Sequence, residues 1–178
     1  MRWLRLRAVW LLVIPFLWLA RPTPALLALG GALSLAGLLL RGWAAGVIRK
    51  EKELTTGGPY AHTRNPLYLG SFLLGTGVVV AGGSPIFVAL FLVFFALAYG
   101  RTIAAEAALL EGLFGDAYRE YARHVPLLVP RLTPYGPAAV GEQRARFSVA
   151  RYRRNREYEA ALGAVVGFAF LTAKLLWI

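Results

Sequence analysis

The stretch Gly58-Pro-Tyr-Ala-His-Thr-Arg-Asn-Pro-Leu-Tyr-Leu-Gly70 sets two tyrosines, a histidine, an arginine and an asparagine directly in front of a long apolar run. Further along, Glu106 closes another apolar run. Charged groups at a membrane are costly unless paired, solvated or able to snorkel, so these residues are where function is sought. A cavity bordered by Glu106, Arg64, His62, Asn65 and several tyrosines would offer both signs of charge and aromatic faces. That suits a ligand with a zwitterionic amino-acid end and an aromatic base, beside a second, lipophilic ligand. S-adenosylmethionine is one molecule that fits the first description, although composition alone does not single it out: its carboxylate would pair with Arg64, its ammonium with Glu106, and its sulfonium with a tyrosine face.

The elements that must position this cluster are membrane helices. Of 178 residues, 58% are hydrophobic and only 16% charged, outside the range of soluble domains. A helix crosses the hydrocarbon core with roughly 17 to 25 apolar residues. Five stretches qualify: Trp3 to Ala20, Ala25 to Val47, Leu67 to Gly82, Ile86 to Ala105, and Ala160 to Ile178. The expected fold is all-α, a polytopic membrane protein with about five transmembrane helices and a cytoplasmic cofactor-binding region. The first span, with its basic start and apolar middle, has features of a signal peptide, but its continuation into a second apolar run favours an uncleaved anchor.

Positive charge fixes the expected orientation, because Lys and Arg resist translocation. Arg2, Arg5 and Arg7 precede the first span, Arg49, Lys50, Lys52 and Arg64 separate the second from the third, and Arg119 through Arg156 lie between the fourth and fifth. The opposite connections hold Arg21 and, in Gly82-Gly-Ser-Pro85, no cation. The N terminus and the cluster are therefore expected in the cytoplasm. The net charge of +11 is explained by this topology and by anionic headgroups, so nucleic acid is not expected as a partner; the bilayer is. The absence of cysteine excludes disulfides, thiolate nucleophiles and Cys-ligated metals.

One integral membrane domain is expected over 1–178. Residues 1–48 read as a helical hairpin turning at Arg21-Pro-Thr-Pro24. Gly57-Gly58-Pro59 breaks the helix and permits a sharp reversal, which puts the cluster on a loop at the membrane surface. Pro66 suits the first turn of the third span. Ser71, Gly75 and Gly77 offer small side chains that let a helix or a bound molecule approach closely. The run from Glu106 to Arg123 reads as helical, with a break at Gly112 or Gly115. Residues 132–178 form a basic segment, suited from Glu142 to Glu159 to lie in the interface, followed by the final span. Arg41 and Arg101, inside or near the ends of spans, have two readings: snorkelling or a functional contact.

In order and separation, Gly58-Pro-Tyr60, Arg64-Asn-Pro-Leu-Tyr-Leu-Gly70, Arg101 to Glu106, Phe114-Gly115, Tyr118, Tyr121 and Val125-Pro126 resemble the isoprenylcysteine carboxyl methyltransferase and phospholipid methyltransferase family. The resemblance covers residues 57 to 131, and makes 49–131 the methyltransferase core. It implies an integral membrane enzyme that uses S-adenosylmethionine, with Arg64 and Glu106 as the catalytic pair. By the same resemblance the cofactor contacts are Tyr60, Arg64, Asn65, Tyr68, Gly70 and Glu106, while His62 is a local candidate. Gly75-Thr-Gly77 resembles a Gly-x-Gly element of phospholipid methyltransferases and joins the cofactor set. Two positions depart from the family pattern: Asn65 stands where the family has histidine and Ala107 where it has a second glutamate. Asparagine can hydrogen-bond but moves no proton at neutral pH.

Methyl transfer from a sulfonium is an in-line displacement, so the main task is to hold nucleophile, methyl carbon and sulfur collinear away from water. Arg101, Tyr118 and Tyr121 are the expected contacts to a lipophilic acceptor, which could be an isoprenylcysteine-like carboxylate, a phospholipid amine or a small lipophilic molecule. An amine would have to lose a proton, with Glu111, His124 or a tyrosine in reach. Two other readings stay open: an NADPH-dependent membrane reductase of the sterol-reductase type, and a non-catalytic membrane protein with a degenerate site.

Overall fold

The computed structural model describes residues 13–49, 53–136 and 146–177. The chain is helical over 13–19 and then forms α1 (Pro24–Val47), a 3-10 turn (Gly58–Ala61), α2 (Pro66–Ala81), α3 (Pro85–Phe114), α4 (Asp116–His124), α5 (Val149–Arg154) and α6 (Tyr158–Trp177). Among the described residues there is no strand. Each of α1, α2 and α3 begins on a proline, whose missing N–H costs nothing in a first turn. Thr23 caps α1 by accepting from the Leu26 amide at 3.3 Å.

α1, α3 and α6 are long and apolar enough to cross a membrane, and α2 is a shorter apolar helix. The remainder of the expected first span, up to residue 12, lies outside the described residues, as does Ile178. α3 has 30 residues, a length of about 45 Å against a hydrocarbon core of about 30 Å. It is therefore longer than an untilted crossing of the core needs. The expected apolar span to Ala105 and the start of the expected helical run from Glu106 form one helix, and of the two expected break points the structure uses Gly115. The helix continues through Glu106 and Gly112, and ends at Gly115, where φ is +52°.

α1 and α2 are antiparallel and packed through glycines. Gly30 faces Gly77 and Ala81, and Gly37 faces Gly70 and Leu74, where an added Cβ on Gly37 would lie 2.5 Å from the Gly70 carbonyl oxygen. The Ser34 hydroxyl donates to Leu74 O at 3.1 Å in the same seam. At one end of the bundle Phe16, Ala20, Ala81, Phe87 and Leu171 form a core cluster, and Lys174 Nζ donates to the carbonyls of Leu17 and Trp18, each at 2.6 Å. A wholly apolar cavity of about 270 Å³ opens beside this cluster, between segment 13–19, α2 and α3.

The opposite end of the bundle carries the polar residues. There the last carbonyls of α1, which lack intrahelical donors and form the negative end of its dipole, are met by the C-terminal segment. Ser148 N and Arg151 Nε donate to Gly46 O at 2.9 and 2.6 Å, and Asn155 Nδ2 donates to Ala45 O at 2.9 Å. The basic stretch read as one interfacial segment thus divides. Residues 142–145 lie outside the described residues, α5 docks on the end of α1, and Arg156, with φ +55°, turns the chain into α6.

Candidate functional site

The turn at Gly58–Ala61 is forced by sequence: Gly58 has φ +60° and Pro59 follows it. It is laced to the proline-rich segment after α4. Arg64 N donates to Pro126 O at 3.0 Å, Arg131 N to His62 O at 2.9 Å and Tyr135 N to Ala61 O at 3.0 Å. Thr63 Oγ1 and Asn65 Nδ2 both reach Leu127 O, at 3.2 and 3.0 Å. Prolines in 126–134 keep that segment out of a helix, so its main chain is free to hold residues 61–65 in place.

Arg64 and Glu106 line one cavity, which has two adjoining lobes sharing Ile48, Tyr60, Arg64, Asn65 and Glu106. The first, of about 120 Å³, is completed by Arg49, Glu53, Thr55, Leu110, Tyr118 and Tyr121 among others. The second, of about 250 Å³, runs between the helices past Tyr68, Ser71 and Tyr99 to Arg41 and Glu157. The loop before α2 presents Arg64 and Asn65, and the first turn of α2 presents Tyr68; the C-terminal half of α3 presents Glu106 opposite.

Tyr68 donates its hydroxyl to Glu106 Oε2 at 2.9 Å, and its ring meets that of Tyr99 edge-on, with centroids 5.5 Å apart. Arg64 Nη1 donates to the Tyr118 hydroxyl at 3.3 Å. Arg64 Nε and the Tyr60 hydroxyl are buried without a hydrogen-bond partner. Such orphaned groups are uncommon in folded proteins, and these two belong to residues that line both lobes. Burial above all, with Tyr121 and Glu106 nearby, pushes the Tyr60 phenol far above its usual value, so it stays a neutral donor. Burial raises Tyr121 as well, against the opposing pull of Arg64; its hydroxyl donates to Tyr60 O at 2.7 Å.

Of the residues singled out by sequence, Tyr60, Arg64, Asn65, Tyr68, Glu106, Tyr118 and Tyr121 line one lobe or both. Tyr118 and Tyr121, read as acceptor contacts, sit on the first lobe beside Arg64 rather than on the one running between the helices. His62 lines neither lobe; its Nδ1 is engaged with Arg131 O at 2.9 Å. Arg101 is exposed on α3 and also lines neither. Gly70 and Gly77 serve the close contact of α2 with α1, and Gly75 faces the Phe91 ring beside the apolar cavity. Ala107 lines the first lobe and packs against the cluster of Tyr118, Tyr121 and Val125; a glutamate there would put a second charge on an apolar wall.

Sequence reasoning noticed Arg41 but offered snorkelling for it, and it did not single out Glu157. Arg41 donates from Nε to Glu157 Oε2 at 2.9 Å and from Nη2 to Oε1 at 3.0 Å, and from Nη1 to Ser71 Oγ and, at 3.4 Å, to Leu67 O. The pair is largely buried, with side-chain exposures of 22% and 8%. A carboxylate just ahead of an apolar span is the signal that would have found a partner for an in-span arginine.

The fold and the site define an integral membrane protein with a polar, two-lobed cavity at one end of an apolar helical bundle. A family model described as phospholipid methyltransferase matches residues 24–117, and the chain belongs to that family. It is 35% identical over 129 residues to the cobalt-zinc-cadmium resistance protein CzcN of Cupriavidus metallidurans, covering 71% of this chain and 56% of that one. It is 33% identical over 81 residues to the protein-S-isoprenylcysteine O-methyltransferase of Schizosaccharomyces pombe, covering 46% and 34%. To the nickel-cobalt-cadmium resistance protein NccN of Alcaligenes xylosoxydans xylosoxydans it is 38% identical over 85 residues, 48% and 39%. The chain thus spans between 34% and 56% of the length of these relatives. No solved structure matches it. Among the described residues no group of three or more His, Cys, Asp or Glu could hold a metal ion.

Proposed function

We propose that this chain is an S-adenosylmethionine-dependent methyltransferase acting at the membrane interface on a lipophilic acceptor. The observation that carries the reading is that Arg64 and Glu106, far apart in sequence, line one cavity whose lobes adjoin at these two residues. One lobe has polar loop residues and tyrosines; the other leads between apolar helices. A polar donor and an oily acceptor would need that arrangement to meet.

The residues present fit the cofactor. Arg64, with an unpartnered Nε, would take its carboxylate, and Glu106, its Oε2 held by Tyr68, would take its ammonium. The rings of Tyr118 and Tyr121 on the first lobe would face its cationic sulfur. When bound, the cofactor supplies an electrophilic methyl group. The chain's task is to orient the acceptor against it and exclude water, which the buried Tyr60 and Tyr121 and the helix walls would do.

The site end of the bundle would face the cytoplasm. In support, Arg49, Arg64, Arg119, Arg123, Arg131 and the arginines of α5 gather there, while Arg21 and Lys174 belong to the opposite end, the distribution that the positive-inside rule demands. Residues 1–178 would form one integral membrane domain, with 49–131 as its methyltransferase core and a C-terminal addition.

Calorimetry of the detergent-solubilised chain tests the reading. S-adenosylmethionine and its demethylated product should bind and NADPH should not. Binding of NADPH alone, or of none of the three, overturns it.

A further inference from the structure

The Arg41–Glu157 pair sits where a purely structural fastening would be expensive. Arg41 lies well inside α1, a helix of membrane-spanning length, and Glu157 comes immediately before α6. Burying two charges seldom stabilises more than well-packed apolar side chains would, and ionisable residues at membrane depth mark functional paths. Both side chains line the second lobe, so the pair forms a polar patch at the far reach of a cavity whose near end holds Arg64 and Glu106.

The surroundings are built to put the guanidinium there. Gly70 leaves room for the stem: an added Cβ would stand 2.5 Å from Arg41 Cγ. Ser71 and Leu67 O hold Nη1 on the α2 side, and Glu157 takes Nε and Nη2. Nη2 lies 2.8 Å from Glu157 Oε2 as well as 3.0 Å from Oε1, so the carboxylate straddles that nitrogen and fixes the guanidinium on the lobe wall. The two charges cancel, so the patch as a whole is neutral and dipolar. A polar acceptor head entering the lobe would meet this pair on its wall. Glu157 lies outside the family-matched residues 24–117, in a segment otherwise docked on the end of α1 by Ser148, Arg151 and Asn155.

We propose that Arg41 contacts the polar head of the acceptor in the second lobe, and that Glu157 is the positioning residue that fixes its guanidinium for that contact. The proposal rests on the methyl-transfer reading. The C-terminal segment then belongs to the site: it brings in the carboxylate that sets acceptor selection and leaves the cofactor lobe untouched.

The test uses the full chain in detergent with labelled S-adenosylmethionine and, as acceptor, membranes from source cells that lack the gene. Label entering lipid-soluble or membrane-protein material is counted as the membrane concentration is raised. Glu157→Gln should raise the half-saturating membrane concentration about tenfold or more, the loss expected for one charge-assisted hydrogen bond. The saturating rate and the S-adenosylmethionine affinity should hold, and Glu157→Asp should recover part of the loss. The exchanged pair, Arg41→Glu with Glu157→Arg, should recover thermal stability but not acceptor affinity. If half-saturation is unchanged in Glu157→Gln, or if the exchanged pair restores it together with stability, the pair is a fastening and the proposal falls. Should Glu157→Gln not fold, Glu157→Asp and the exchanged pair carry the same comparison. No incorporation by the wild type overturns the function reading itself, and the proposal with it.

Discussion

The Tyr68 hydroxyl donates to Glu106 Oε2 at 2.9 Å, which ties the first turn of α2 to the C-terminal half of α3. One carboxylate oxygen is thereby committed and the other left for a ligand. Removing the charge should therefore cost more than removing the tether. Glu106→Gln is expected to weaken S-adenosylmethionine binding by roughly 1.5 to 3 kcal/mol, and Tyr68→Phe by about 0.5 to 1.5 kcal/mol. Titration calorimetry reads both, and equal or absent losses would remove Glu106 from the cofactor site.

Arg64 reaches the same cavity from the loop, held by its amide on Pro126 O and by Nη1 on the Tyr118 hydroxyl. Arg64→Ala should weaken the cofactor by a similar 1.5 to 3 kcal/mol, roughly, since it removes a charge-assisted contact. Arg64→Lys should recover only part, because an ammonium keeps the charge but not the fork geometry. Full recovery in the lysine variant would mean that charge alone matters there.

Much of this was legible in the sequence, and the boundary has physical causes. Apolar run length gave the spans over Ala25 to Val47 and Leu67 to Gly82 to within a residue or two of α1 and α2, because hydropathy reports directly on burial in lipid. Arg64 and Glu106 stand out in the sequence because a charged group beside an apolar run has few cheap explanations, and the structure brings both to one cavity. Arg41 had one, snorkelling, and only the fold shows Glu157 beside it, 116 residues away. Gly75 and Gly77 illustrate the same limit. A small residue reads alike whether a ligand or a helix approaches it, and here Phe91 and Gly30 are what approach.

The glycine seam gives a stability contrast. A Cβ on Gly77 would meet the main chain of Gly30 and the Ser34 hydroxyl, and main chain cannot step aside without separating the helices. Gly77→Ala should destabilise by about 1 to 3 kcal/mol. Gly112 lies in the interior of α3, exposed, with nothing within 4 Å of an added Cβ. Gly112→Ala should stabilise by roughly 0.5 to 1 kcal/mol through helix propensity. Thermal denaturation in detergent measures both, and a shift of the same sign in the two variants would contradict the packing described.

Tyr60 couples burial to pH. Its phenol is raised above the usual tyrosine value, chiefly by burial, so the folded protein keeps the proton that the unfolded chain gives up at about pH 10. Above that pH the unfolded state binds fewer protons than the native one, and stability falls. The contribution is whole below pH 10 and is lost as pH climbs toward the folded value. Tyr60→Phe should soften this alkaline fall. It should also raise the neutral-pH stability of the ligand-free protein by up to about 1 to 3 kcal/mol, since it deletes a buried hydroxyl that has no partner. The same change should weaken S-adenosylmethionine, which would lose that donor. Melting curves at neutral and alkaline pH, with and without the cofactor, separate the two effects: a variant less stable without cofactor would mean that the hydroxyl already has a partner in the free protein.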